Sequence, residues 1–342
     1  MRNVLVPADI DPALPPPGSV LTDAAGATMG TRWSAHMLVP AGVRSALGEQ
    51  MQRELDGIVA EMSHWEADSV LGRYNRAPAG SWHRLPPRLL EVVAYALEVA
   101  RDSGGAYDPF AGALVNLWGF GPANRHDEPG FRPPALEDVR AELSRRAAQA
   151  PAFDLAGARL LQPGGVQLDL SSTAKGYAVD RLAWCLERHG VRHYVVEIGG
   201  ELRGAGMKPD GQPWWVALEA VPGLDTVPTV AALHGLAIAT SGDYRRQFTH
   251  GDTHASHTID PRSGMPIANG VASCTVLHAH CMAADALSTA ITVLGAEAGL
   301  AFAEERRLAA RLLLRGGARG GEPAEPAGLT ELTTSAWRAM LQ

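Results

Sequence analysis

Asp285 and Thr289 sit one helical turn apart in "ADALSTA", residues 284 to 290, a spacing that puts a carboxylate and a hydroxyl on one helix face. Leu287, Ala290, Ile291 and Leu294 repeat at the interval of a buried stripe, so the segment reads as an amphipathic helix. Two readings fit. In one, Asp285 only complements the helix dipole in the first turn. In the other, the two oxygens hold a hard cation such as Mg2+, which takes oxygen ligands and keeps waters or phosphates in its shell.

"DLSSTAKGYAVDR", 169 to 181, brings small hydroxyl residues, Lys175 and Gly176 to the start of a second helix. Free backbone N–H groups and an ammonium there could hold an anion, although the Walker A spacing is absent. His257 in "SHTIDPRSGMP" is a candidate general base. His250, His254 and His257 could be drawn as a zinc cluster, but nothing fixes a common face and "GDT" after His250 reads as a hairpin turn. A hydrolase triad through Ser241 lacks the nucleophile elbow. The glycine pair in "EIGGELRG" permits either close approach to a ligand or a tight turn. Trp33, Trp65, Tyr107 and Trp118 could stack on a planar ligand or belong to the core.

The 342 residues suffice for one large domain or two smaller ones, and 46% hydrophobic content supports a core. A net charge of −7 gives no global attraction to nucleic acid or anionic membranes. Cys185, Cys274 and Cys281 lie among apolar residues without a CxxC pair, as buried thiols in a reducing compartment would. Neither a signal peptide, nor a lipid-attachment Cys, nor a membrane span is legible, so the chain as given is expected to be cytoplasmic, or periplasmic if a leader was removed.

The elements that must position these residues follow from periodicity. A Pro-rich lead-in is expected over 1–22, a first strand from about Thr28, and helices over about 44–62 and from "LPPRLLEVVAYALEVARDSGG". A surface loop over 121–135 precedes a short helix, and "GVQLDLSSTAKGYAVDRLAWCLERHGVRHYVVEIGG" reads as strand, loop, helix, strand. Short strands dominate 213–280, a flexible loop is expected at "GGARGGEPAEP", and "ELTTSAWRAML" reads as a final helix. Mixed strands and helices without βαβα alternation predict an α+β fold.

In order along the chain, "MGT", "MSHWEADSVLGRYN", "GGAYDPFAGALVNLWGFG", "DLSSTAKGYAVDR", "VVEIGGELRGAG", "IATSGDYRRQF", "SHTIDPRSGMP" and "ADALSTA" together resemble the ApbE family of FAD:protein FMN transferases, over about residues 28 to 300. The resemblance implies an ApbE-like fold of mixed, mostly antiparallel sheets flanked by helices, a single domain over 23–342 with two subdomains conceivable. It implies Mg2+-dependent transfer of FMN from FAD to a Thr or Ser of an acceptor flavoprotein, with release of AMP. The alternatives are a Mg2+-dependent FAD pyrophosphatase and a flavin-binding protein without catalysis. By position, Asp285, Thr289, Ser172 and Ser288 are the implied metal ligands. Met29, Trp65, Ala106, Tyr107, Asp108, Asp169, Lys175, Glu201 and Ile259 are implied at the FAD, with His257 as base and Lys175 offsetting phosphate charge. This chain departs from many relatives at Ser171, Ser172 and Thr173, where they read roughly "DLGGIAKG", and at Trp65, where they carry Tyr.

Overall fold

The computed structural model of the protein describes residues 2–43, 46–149, 151–251, 253–316 and 328–342. In chain order it begins with β1 (Asn3–Leu5), β2 (Val20–Thr28), β3 (Thr31–Val39), α1 (Leu47–Met62), α2 (Val70–Asn75), β4 (Ser81–Arg84) and α3 (Pro87–Asp102). Then come α4 (Gly112–Leu117), α5 (Leu136–Ala148), β5 (Phe153–Asp154), β6 (Arg159–Gln162), α6 (Ala174–Arg188), β7 (Tyr194–Ile198) and β8 (Glu201–Ala205). The strands β9 (Trp214–Ala217), β10 (Thr229–Leu233), β11 (Leu236–Gly242), β12 (Gln247–His250), β13 (Thr253–Ser256), β14 (Ile259–Asp260), β15 (Met265–Pro266) and β16 (Val271–His278) follow. The chain closes with α7 (Cys281–Leu294), α8 (Ala296–Glu305), β17 (Ala309–Arg315), β18 (Leu329–Thr333) and α9 (Ser335–Ala339). The class is α+β.

Two compact units emerge, one of 1–57, 175–242 and 270–342, the other of 58–174 and 243–269. The first is built on an antiparallel sheet ordered β18-β17-β16-β11-β8-β7-β3-β2. Its inner strand β16 is buried along almost its whole length, Ser273 and Thr275 included, so both of its faces are covered. The helix α7 packs on β11 and β16, and α8 packs on α7 and β17. A smaller sheet, β1-β10-β9, joins a core that includes Leu5, Leu38, Trp214, Leu233, Ile238 and Trp337.

The second unit combines α2 to α5 with three small sheets, β4-β6-β5, β12-β13 and β14-β15. Leu89, Val92, Val93, Ala96 and Val99 form the buried stripe of α3, whose prolines start it and whose Gly104 and Gly105, at φ +60° and +80°, stop it. Leu114, Trp118, Phe120, Val139, Ala255 and Ile259 form a core cluster, and the Trp118 indole N–H donates to Gly264 O at 2.8 Å.

Several expectations need correction. Alternation starting near Thr28 missed β2, because edge-strand residues such as Val20 and Leu21 are exposed and carry no burial pattern. The lead-in over 1–22 carries β1, paired in parallel with β10, which was itself unforeseen. No ladder forms at 166–170; Gln167 bridges Ala111, while Asn75 accepts from Leu168 N at 2.7 Å and donates to Leu168 O at 2.8 Å. The final helix is shorter than expected, since residues 329–333 pair with β17 and Thr334 caps α9. Most of the "GGARGGEPAEP" loop, from 317 on, lies outside the described residues, as does part of the expected start of α1.

Candidate active site

In the first unit, α7 begins at Cys281, so Asp285 lies in its second turn and is 5% exposed. That removes the solvent-facing dipole reading. Its Oδ2 accepts the Gly176 N–H at 2.9 Å, from the first turn of α6. A Cβ on Gly176 would stand 2.4 Å from Cys281 O, so only glycine permits this approach of two helix starts. The α7 N-terminus is secured from α6 as well. Asp180 accepts Cys281 N at 2.9 Å and Met282 N at 3.0 Å, and Arg203 pairs with it at 2.7 Å.

Burial raises the Asp285 carboxyl to about 6, against the opposing charge of Lys175 and the Gly176 amide. A carboxylate held at such a cost is typical of a site completed by a positive charge. Thr289, one turn on, shares a hydrogen bond of 3.1 Å with Ser241 on β11, and Ser241 shares one of 2.8 Å with Ser288. Ser288 is fully buried and also donates to Asp285 O at 2.9 Å. Carboxylate and hydroxyl oxygens are a donor set that suits a hard cation. Among the described residues no group of three or more His, Cys, Asp or Glu could hold a metal.

Lys175 pairs with the buried Glu201 at 2.7 Å. The Gly199–Gly200 pair is the two-residue turn between β7 and β8, at φ +55° and +102°, which explains both glycines by backbone conformation. Met29, at φ +49°, occupies the equivalent turn between β2 and β3 with Gly30. A non-glycine residue there carries local strain of about 1–3 kcal/mol.

In the second unit, a cavity of about 270 Å³ is lined by residues including His64, Trp65, Asn75, Asn116, Gln167 and Asp169. Trp65 is 42% exposed, with the Arg246 and Arg125 guanidinium carbons 5.7 and 5.8 Å from its ring centre. Asp169 lies 3.5 Å from His64 and accepts Ser171 N at 2.8 Å. Burial pushes its carboxyl up, but His64, Ser171 and Arg246 outweigh that and hold it below the usual carboxylate range.

Ala106 and Tyr107 are buried, and the Tyr107 hydroxyl bonds Thr173. Tyr107 is therefore a support under the loop. Asp108 accepts Phe110 N at 2.8 Å and pairs with Arg146. Ile259 is buried in the core cluster, and Ser172 is half-buried in the turn before α6. His257 follows β13, with N–H and Nδ1 at 3.0 and 3.1 Å from Arg246 O. In the β12–β13 register His250 pairs with Thr253 and His254 with Thr249, which places the two imidazoles on opposite faces and breaks up the zinc cluster.

The sequence reading missed Ser241 as a partner of Thr289, the Gly176 amide as a partner of Asp285, and His64 and Arg246 beside Asp169. Gly176 alone left a signal, a glycine in the first turn of an otherwise strong helix.

Fold and site thus define an α+β protein with an oxygen-lined, buried-carboxylate site in one unit and an aromatic and charged cleft in the other. The ApbE family model matches residues 29–312, and the chain belongs to that family. It is 36% identical over 295 residues to the FAD:protein FMN transferase of Vibrio cholerae, covering 85% of this chain and 86% of the relative. With the enzyme of that name from Escherichia coli K12 it shares 33% over 297 residues, 85% of this chain and 84% of the relative. The apo flavinyl transferase ApbE of Pseudomonas stutzeri superposes with a TM-score of 0.82 at 36% identity, covering 94% and 97% of the two chains. The flavin transferase ApbE from Vibrio cholerae gives 0.83 at 33% identity, covering 94% of this chain and all of that one.

Proposed function

We propose that the protein is a Mg2+-dependent FAD:protein FMN transferase that joins FMN through a phosphoester to a Thr or Ser of an acceptor flavoprotein and releases AMP. The observation that carries this reading is Asp285, a buried carboxylate one turn from the Thr289 hydroxyl and tied to the Lys175–Gly176 start of α6. Asp285 and Thr289 would hold the cation. Ser288 and Ser241 belong to the same oxygen cluster. Bound there, the cation neutralises pyrophosphate charge and so lowers the barrier to attack by an oxygen nucleophile.

The residues of the chain supply the rest. Lys175, orientated by Glu201, faces charge that builds on the AMP leaving group. Trp65, Asp108 and Asp169 are assigned to FAD binding, as are Met29, Ala106, Tyr107 and Ile259. His257, with Nδ1–H directed to Arg246 O, is assigned as the base that takes the acceptor hydroxyl proton at Nε2. The new bond joins the acceptor oxygen to the FMN phosphorus. The bond to the bridging pyrophosphate oxygen breaks, and its electron pair leaves with AMP.

The test is AMP release from FAD by the purified protein, with Mg2+ or a chelator, with and without an acceptor domain bearing a Thr. Mg2+-dependent release that requires the acceptor and leaves it covalently yellow is expected. Release without acceptor would instead establish a pyrophosphatase, and binding without AMP a flavin carrier.

A further inference from the structure

Arg246 contacts three groups of the second unit at once. Its guanidinium lies over the Trp65 ring, 5.7 Å from the centre. Its Nη2 donates to Phe120 O at 2.9 Å, and the Phe120 ring meets His257 edge-on at 6.3 Å between centroids. Its own carbonyl accepts from His257, through the main-chain N–H at 3.0 Å and the ring Nδ1 at 3.1 Å. The side chain is exposed enough that its removal threatens no core.

An imidazole works as a base through one nitrogen when the other is fixed as a donor, and a backbone carbonyl is a common way to fix it. Here that carbonyl belongs to the residue just before β12, a four-residue strand paired only with β13 among the described residues. The hairpin alone gives the carbonyl limited support. The guanidinium adds two attachments outside it, one to the loop after α4 and one to the aromatic wall of the cleft.

We propose that Arg246 is a positioning residue that ties the orientation and tautomer of His257 to the Trp65 wall of the cleft. The proposal rests on the transferase reading for the role of His257 as base, and its first readout does not. Lys cannot replace Arg here, because a point charge reaches either the indole face or the Phe120 carbonyl, while the planar fork serves both.

The test uses the 342-residue chain and its Arg246→Ala and Arg246→Lys variants, with His257→Gln to assign the imidazole signals. Long-range 1H–15N spectra should show His257 as the Nδ1–H tautomer in the parent protein and as a mixture in Arg246→Ala, with Arg246→Lys between. With FAD and an acceptor domain, kcat should fall about threefold to tenfold in Arg246→Ala, a part of the ~10²–10⁴ a positioned base supplies. Unchanged His257 signals in Arg246→Ala overturn the proposal, whatever happens to kcat. Shifted signals with unchanged kcat uphold the placement of His257 by Arg246 and instead remove His257 from the chemistry.

Discussion

At the scale of single residues, the metal role proposed for Asp285 opposes its effect on stability. Its folded carboxyl titrates at about 6, above the ordinary value of 3.8. The stability linked to it is therefore fully present below the unfolded value and lost as pH rises through about 6. Asp285→Asn should make the metal-free protein more stable at pH 8 by about 2–3 kcal/mol, with the gain roughly halved at pH 5. Urea unfolding at the two pH values checks this. The same variant should lose AMP release by ~10²-fold or more, because an amide neither neutralises nor tightly binds a hard cation. Full activity in the variant at saturating FAD and Mg2+ would sink the metal assignment.

Among the elements, the approach of α6 to α7 sets the surroundings of the Asp285 carboxylate. Gly176→Ala places a methyl 2.4 Å from backbone, which no rotamer relieves. A loss of about 1–3 kcal/mol is expected from the forced shift, together with weaker Mn2+ binding in titration calorimetry. The β2–β3 turn makes a contrasting case. Met29→Gly relieves a positive φ and should raise stability by about 1 kcal/mol in thermal unfolding. If FAD affinity falls in that variant, the strained methionine is held for binding; unchanged affinity would leave it a turn residue only.

For the whole molecule, binding and unfolding report on the same folded state. FAD with Mg2+ at a hundred times its dissociation constant should add about 2.7 kcal/mol of stability, and a chelator should remove part of it. Cys185, Cys274 and Cys281 are all buried, and burial raises the pKa of each thiol. They should resist a thiol reagent in the native state and react at a rate set by unfolding. Prompt labelling of any of them would contradict the burial. Among the described residues no helix is long and apolar enough to cross a membrane.

The amino-acid sequence by itself determined the class, the family and which side chains share one face of an element. Periodicity is a local property, so α3, the body of α6 and the stripe of α7 were legible from spacing alone, and Asp285 and Thr289 fell on one face without further knowledge. Tertiary structure decided what those positions meet. The burial of Asp285, its bond to Gly176, the link from Ser241 to Thr289 and the grip of Arg246 on His257 all join residues from different elements. The exposed edge strand β2 and the short β10 also stayed hidden, because their partners β3, β1 and β9 define them and their own alternation does not. Spacing along one element specifies a face; what covers that face depends on where the rest of the chain returns.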